Sequence, residues 1–88
     1  MDEGASPPMI PLYGFLEGDT IGLIVLADEN DTAAVLTQKL QASGRVRLKP
    51  KRRLKLIHNG QTIDPETTVA QARMEALDRI DVVEARGL

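Results

Sequence analysis

Apolar residues along this chain fall in two kinds of pattern. Between Thr32 and Gly44 (TAAVLTQKLQASG), Ala33, Leu36 and Leu40 recur at i, i+3 and i+7, a single stripe on one side of a helix. Thr37, Lys39 and Gln41 lie mostly off that stripe. Thr32 is a suitable N-cap, because its hydroxyl can accept from a free amide of the first turn. Asp28, Glu29 and Asp31 put negative charge near the positive end of the helix dipole, and Gly44 can take the left-handed conformation that ends a helix. A single narrow stripe suits a helix lying across a sheet, not one inside a bundle.

The rest of the chain reads as short extended segments. Residues 1–8 (MDEGASPP) are rich in Gly, Ser and Pro and are expected to form a flexible tail, with Met9 a possible second start. Ile10 to Leu16 reads as a strand, Glu17-Gly18-Asp19 as a turn, and Thr20 to Ala27 as the returning strand of a hairpin. Ile21, Leu23 and Val25 are expected to meet the helix. Ile24 and Leu26 then point to the other side, where a half-exposed strand should be polar. With Leu12 joining them from the first strand, they define an expected apolar outer face.

Beyond the helix, Pro50 blocks any helical continuation. A third strand is expected from about Arg53 to His58, a tight turn at Asn59-Gly60, and a short fourth strand from Gln61 to Ile63. Thr67 or Thr68 can cap a short helical turn from Val69 to Arg73, with Val69 and Met74 as core contacts. Arg79 to Glu84 reads as the last strand, with Ile80 and Val82 inward, followed by a short tail over residues 85–88. Hairpin, helix, strand, short strand, helical turn, strand is the order of an α+β β-grasp fold over residues 9–84. It has a mixed four- to five-stranded sheet, with the final strand beside and parallel to the first in its middle.

Composition narrows the function. At 88 residues this is one small domain, burying roughly 60–65% of its unfolded surface. It has no cysteine, one histidine and no apolar run near a membrane span, and its N-terminus lacks a signal-peptide pattern, so a cytoplasmic protein with no membrane partner is expected. There is no phosphate loop, no paired-histidine spacing and no cysteine cluster. Asp28, Glu29 and Asp31 lack the glycine and closing glutamate of a calcium loop. Asp78 and Asp81 form a possible carboxylate pair with no pocket evident around them. A drug-sized pocket of roughly 300 Å³ or more looks too large for so small a domain. His58 reads as a surface or hydrogen-bonded side chain. No catalytic, cofactor-binding or metal-binding residue is assigned, and the chain alone is not expected to be an enzyme.

Net charge is −2, yet seven of the eleven basic residues fall between Arg45 and Lys55. No aromatic residue interleaves with this run, which argues against nucleic acid. Lys51, Arg52 and Arg53 are instead candidates for docking to an acidic protein surface, with a solvated loop as the plain alternative.

From Phe15 to Val83 the chain resembles ubiquitin in length and in the place of each element: FLEGDTIGLIVL, DTAAVLTQKLQ and LIHNGQTIDPETTVAQARM. This resemblance places Leu16, Ile57 and Val83 on ubiquitin's apolar recognition patch, with Asp81 in place of a histidine. The ending EARGL offers Gly87 without the diglycine that conjugation requires. A closer resemblance is to the gamma subunit, or system protein B, of the toluene monooxygenase hydroxylases. It rests on Pro11, Leu16-Glu17-Gly18-Asp19, Asp28-Glu29-Asn30-Asp31-Thr32, the basic RVRLKPKRR, Pro65-Glu66-Thr67-Thr68-Val69-Ala70 and Ile80-Asp81-Val82-Val83, in order over residues 10–84. HNGQTID departs from that pattern towards ubiquitin. The resemblance implies a non-catalytic subunit packed outside a larger hydroxylase subunit that holds a di-iron centre. The alternative expectation is a free-standing ubiquitin-like adaptor or modifier acting through Leu16, Ile57 and Val83.

Overall fold

The computed structural model describes residues 9–18, 21–43 and 54–84. The expected tails at 1–8 and 85–88, the helix-ending Gly44 and the basic residues Lys51, Arg52 and Arg53 lie outside the described residues. Five strands and one helix follow in the order β1 (Met9–Leu16), β2 (Leu23–Asp28), α1 (Ala33–Ser43), β3 (Leu54–His58), β4 (Gln61–Ile63) and β5 (Arg79–Glu84). The sheet order is β2-β1-β5-β3-β4. β5 lies in the centre, parallel to β1 and antiparallel to β3, as the element order predicts.

The hairpin register pairs Leu12 with Val25 and Tyr13 with Ile24. Residues directly opposite each other share a face. One face of the sheet therefore carries Leu12, Leu16, Val25, Ala27, Leu56, Ile80 and Val82, all buried. The helix stripe of Ala33, Leu36 and Leu40 lies on this face and completes the core with Val69 and Met74. Leu12 is thus a core residue and not part of the outer face expected for it. Ile21 likewise does not meet the helix: β2 begins only at Leu23, and Ile21 is 49% exposed ahead of it.

The helix is held at its start by more than its cap. Thr32 Oγ1 accepts from the Val35 amide at 3.2 Å, as the N-cap reading predicts. The Ala33 and Ala34 amides donate to the carbonyls of Thr67 and Pro65, at 2.9 and 3.0 Å. The Val69 and Ala70 amides return to the carbonyls of Asp31 and Glu29. The first three amides of α1, which a helix leaves without internal partners, are thereby satisfied by the chain itself. Asp31, just ahead of the Thr32 cap, also bonds through its Oδ2 to Lys39 Nζ at 2.7 Å and to the Asp28 amide at 3.0 Å.

The segment from Val69 to Arg73 is a run of turns and not a regular helical turn. Its backbone bonds join Ala72 to Thr68, Arg73 to Ala70 and Met74 to Val69, each of a different span. Thr68 is the cap, exchanging hydrogen bonds with Gln71 in both directions. Asn59 and Gly60 both have positive φ, 54° and 76°, the mirror-image turn that suits a two-residue hairpin.

Gly14 marks where helix and sheet come closest. A Cβ placed there would lie 2.6 Å from Leu40 Cδ2, and Leu40 is fully buried. Gly14→Val is therefore expected to destabilise the fold by about 1–3 kcal/mol, through overpacking. Urea unfolding checks this; a variant as stable as the parent would show that α1 does not press on β1 at this point.

Candidate functional site

Alternation along each strand, combined with the register, settles what the sheet presents on its far side. Pro11 pairs with Leu26, Tyr13 pairs with both Ile24 and Arg79, and Phe15 pairs with Asp81. Ile24 and Leu26 are 56% and 55% exposed, on the outer face where the sequence pattern puts them. Met9 and Tyr13 are exposed beside them, while Pro11 and Phe15 are half-buried. The Tyr13 and Phe15 rings meet edge to face with centroids 4.9 Å apart. The Arg79 guanidinium lies 4.1 Å from the Phe15 centroid, and its Nη2 reaches Asp81 Oδ1 at 3.0 Å. That bond to Asp81 raises the Arg79 pKa further above its ordinary value. Gly22 leaves room for the two rings, since a Cβ there would lie 2.6 Å from Tyr13.

The other predicted interaction residues divide. Ile57 and Val83 are half-buried on the outer face, on the far side of Asp81 from the aromatic pair. Leu16 is only 2% exposed and points into the core with Leu12, so the structure does not join it to Ile57 and Val83. Pro11, Tyr13 and Phe15 also lie on the outer face, where the sequence reading did not place them. The signal for them is the two-residue period of β1 once Leu12 is turned inward: Pro11, Tyr13 and Phe15 then share the opposite phase.

The free edge of β2 is partly closed. Lys39 Nζ donates to the Leu26 carbonyl at 2.8 Å while paired with Asp31. A lysine on an edge carbonyl discourages another strand from pairing there. Burial tends to raise the Asp31 pKa, but the bonds from Lys39 and the Asp28 amide outweigh it and hold the carboxyl below its ordinary range.

Asp78 and Asp81 do not act as a pair. Asp81 is engaged by Arg79, whereas Asp78 Oδ2 accepts from buried His58 Nε2 at 2.8 Å and from the Glu75 amide at 2.9 Å. Among the described residues no group of three His, Asp or Glu side chains is placed to hold a metal ion. The expectation that no drug-sized pocket fits is corrected: a groove of about 530 Å³ runs between α1 and the β3–β4 hairpin, along Ala34, Thr37, Leu54, Leu56, Ile63 and Pro65. α1 lies over β1, β2 and β3, and the groove opens where the sheet continues to β4. Among the described residues, Lys55 and Asp64 are the titratable side chains that line the groove.

A family model described as toluene-4-monooxygenase system protein B (TmoB) matches residues 9–83. The chain belongs to the TmoB family. That family is the small, non-catalytic component of toluene monooxygenase systems. No curated protein sequence matches the chain. Among solved structures, it is similar to a chain of the toluene 4-monooxygenase HD complex with the inhibitor 4-bromobenzoate. The identity is 20% and the TM-score 0.76, covering 89% of this chain and 100% of that one. Ubiquitin of Caldiarchaeum subterraneum is similar at 15% identity and TM-score 0.73, covering 91% of this chain and 98% of that one. A ubiquitin-like domain of an Arabidopsis thaliana protein follows at 17% and 0.69, covering 91% and 80%. These likenesses establish the ubiquitin-like β-grasp fold for this TmoB family member. Among its described residues no helix is long and apolar enough to cross a membrane.

The Asp78 contacts carry a pH prediction. The Glu75 amide, and then His58, hold the Asp78 carboxyl below its ordinary 3.8. With the folded value below the unfolded one, the unfolded chain binds the proton more readily. The stabilisation is thus full above about pH 4 and is lost as pH falls through the folded value. Asp78→Asn is expected to flatten the acid side of the stability–pH curve, measured by urea unfolding from pH 7 to pH 3. An unchanged acid slope would mean that the Asp78 carboxylate contributes no pH-linked stability.

Proposed function

We propose that this TmoB family member is a docked accessory subunit of a multicomponent aromatic-hydrocarbon monooxygenase. It binds the large hydroxylase subunit through the outer face of its sheet and works in the cytoplasm. The observation that carries this reading is the row of exposed apolar side chains around Ile24, Leu26 and Tyr13, on a chain whose family belongs to such a system. An apolar, aromatic-bearing patch on a small domain suits burial against a protein partner. The face and not the edge is the favoured route, because Lys39 occupies the Leu26 carbonyl. The hydroxylase partner is further supported by the similarity to a chain of the toluene 4-monooxygenase HD complex. The adaptor reading that used Leu16 with Ile57 and Val83 loses Leu16 to the core.

Co-purification of the tagged chain from its native cells tests this. A large hydroxylase subunit is the expected companion, and its absence would overturn the proposal. Ile24→Asp and Leu26→Asp are each expected to weaken that association by at least about 2 kcal/mol while changing fold stability by about 0.5 kcal/mol or less. Lys51, Arg52 and Arg53 are proposed to steer the approach to an acidic patch on the partner. Reversing all three to Glu should slow association and reduce its salt dependence. An unchanged salt slope would show that the basic run is only solvated surface.

A further inference from the structure

Leu77 breaks a local rule. The Asp78 amide donates to the Glu75 carbonyl at 3.0 Å, closing a four-residue turn in which Leu77 takes the third position with φ of 67°. That position in such a turn calls for glycine, because an L side chain there crowds its own backbone. Leu77 is nonetheless the most exposed large apolar residue described, at 64%. Neither burial nor turn preference explains a leucine at this point.

The surroundings hold the strained turn in place. The Leu77 amide donates to the Pro11 carbonyl at 2.6 Å, and the Asp78 carbonyl accepts from the Tyr13 amide at 2.9 Å. The Asp78 carboxylate binds both the Glu75 amide, within the turn, and buried His58 beneath it. A strained conformation kept by this many contacts is characteristic of sites that present a group to a ligand. Pro11 in turn pairs with Leu26 across the hairpin, so the Leu77 backbone lies in line with Leu26 and Pro11, at the end of β1 beside the outer face.

We infer that Leu77 is an anchor held outward for insertion into an apolar pocket on the large hydroxylase subunit. This rests on the docking reading above. The clamp around Asp78 fixes the backbone that carries the side chain before the partner arrives, so the turn itself needs no ordering on binding. An exposed, pre-oriented apolar side chain at the edge of an apolar patch gains most by filling a pocket in the facing surface.

The test compares the parent chain with Leu77→Gly, Leu77→Asn and Leu77→Met, each titrated against the large subunit recovered by co-purification. Gly and Asn tolerate the left-handed backbone but remove the apolar side chain. Both variants are expected to melt no lower than the parent and to bind at least about tenfold more weakly. Leu77→Met, which keeps the apolar reach and the strain, should bind within about threefold of the parent. Parent-like binding by Leu77→Gly overturns the anchor while leaving the docking reading standing, and so does a Met variant as weak as the Gly variant. Failure of the parent itself to bind overturns the docking reading and the anchor together.

Discussion

A sheet has two faces, and among the described residues this chain has one helix with which to cover them. The helix stripe of Ala33, Leu36 and Leu40 goes to the side carrying Leu12, Val25, Leu56, Ile80 and Val82. On that side, burial at roughly 25 cal/mol per Å² of apolar surface supplies the driving force for folding. On the other side Ile24, Leu26 and Tyr13 are exposed and Phe15 is half-buried, with no helix over them among the described residues. Apart from the Tyr13–Phe15 and Arg79–Phe15 contacts, the exposed apolar side chains of this face add little to folding of the isolated chain. On the docking reading proposed above, a second protein supplies the layer over this face.

Several local devices keep the two faces distinct. Gly14 lets Leu40 press close to β1, and Gly22 leaves room for the rings of Tyr13 and Phe15 on the opposite side. The helix start is tied to the Pro65–Ala70 segment by reciprocal backbone bonds, which fixes the helix over the inner face. Lys39 joins the helix to the β2 edge through Asp31 and the Leu26 carbonyl. His58 and Asp78 lock the entry to the central strand β5. A chain with few core residues can hold its shape when polar groups at each junction are paired in this way.

Much of this was legible in the residues. The helix, its Thr32 cap and the Asn59-Gly60 turn follow from spacing and turn chemistry that act over a few residues, and the central placement of β5 follows from the order of the elements. The orientation of β1 did not follow. Its segment MIPLYGFL is apolar in both phases, so alternation alone cannot say whether Leu12 or Tyr13 faces inward. Pairing with β2 decides it, since Val25 is inward and Leu12 lies opposite. Leu16 was placed on a surface patch by resemblance to ubiquitin alone, whereas in this chain it is in phase with Leu12 and buried. Ile21 was assigned to β2 because nothing in TIGLIV marks where pairing begins. The positive φ of Leu77 left no trace in sequence, because the turn holds a leucine where its geometry favours glycine.

The chain contains no cysteine, so single thiols can report which face is covered. Ile24→Cys places one on the outer face and Ala42→Cys places one on the exposed side of the helix. Thiol labelling rates of both variants, free and bound to the large hydroxylase subunit, test the account most directly. The expected result is strong protection at position 24 on binding and an unchanged rate at position 42. Protection at position 42 with free labelling at position 24 would contradict it, because the helix side would then be the one the partner covers.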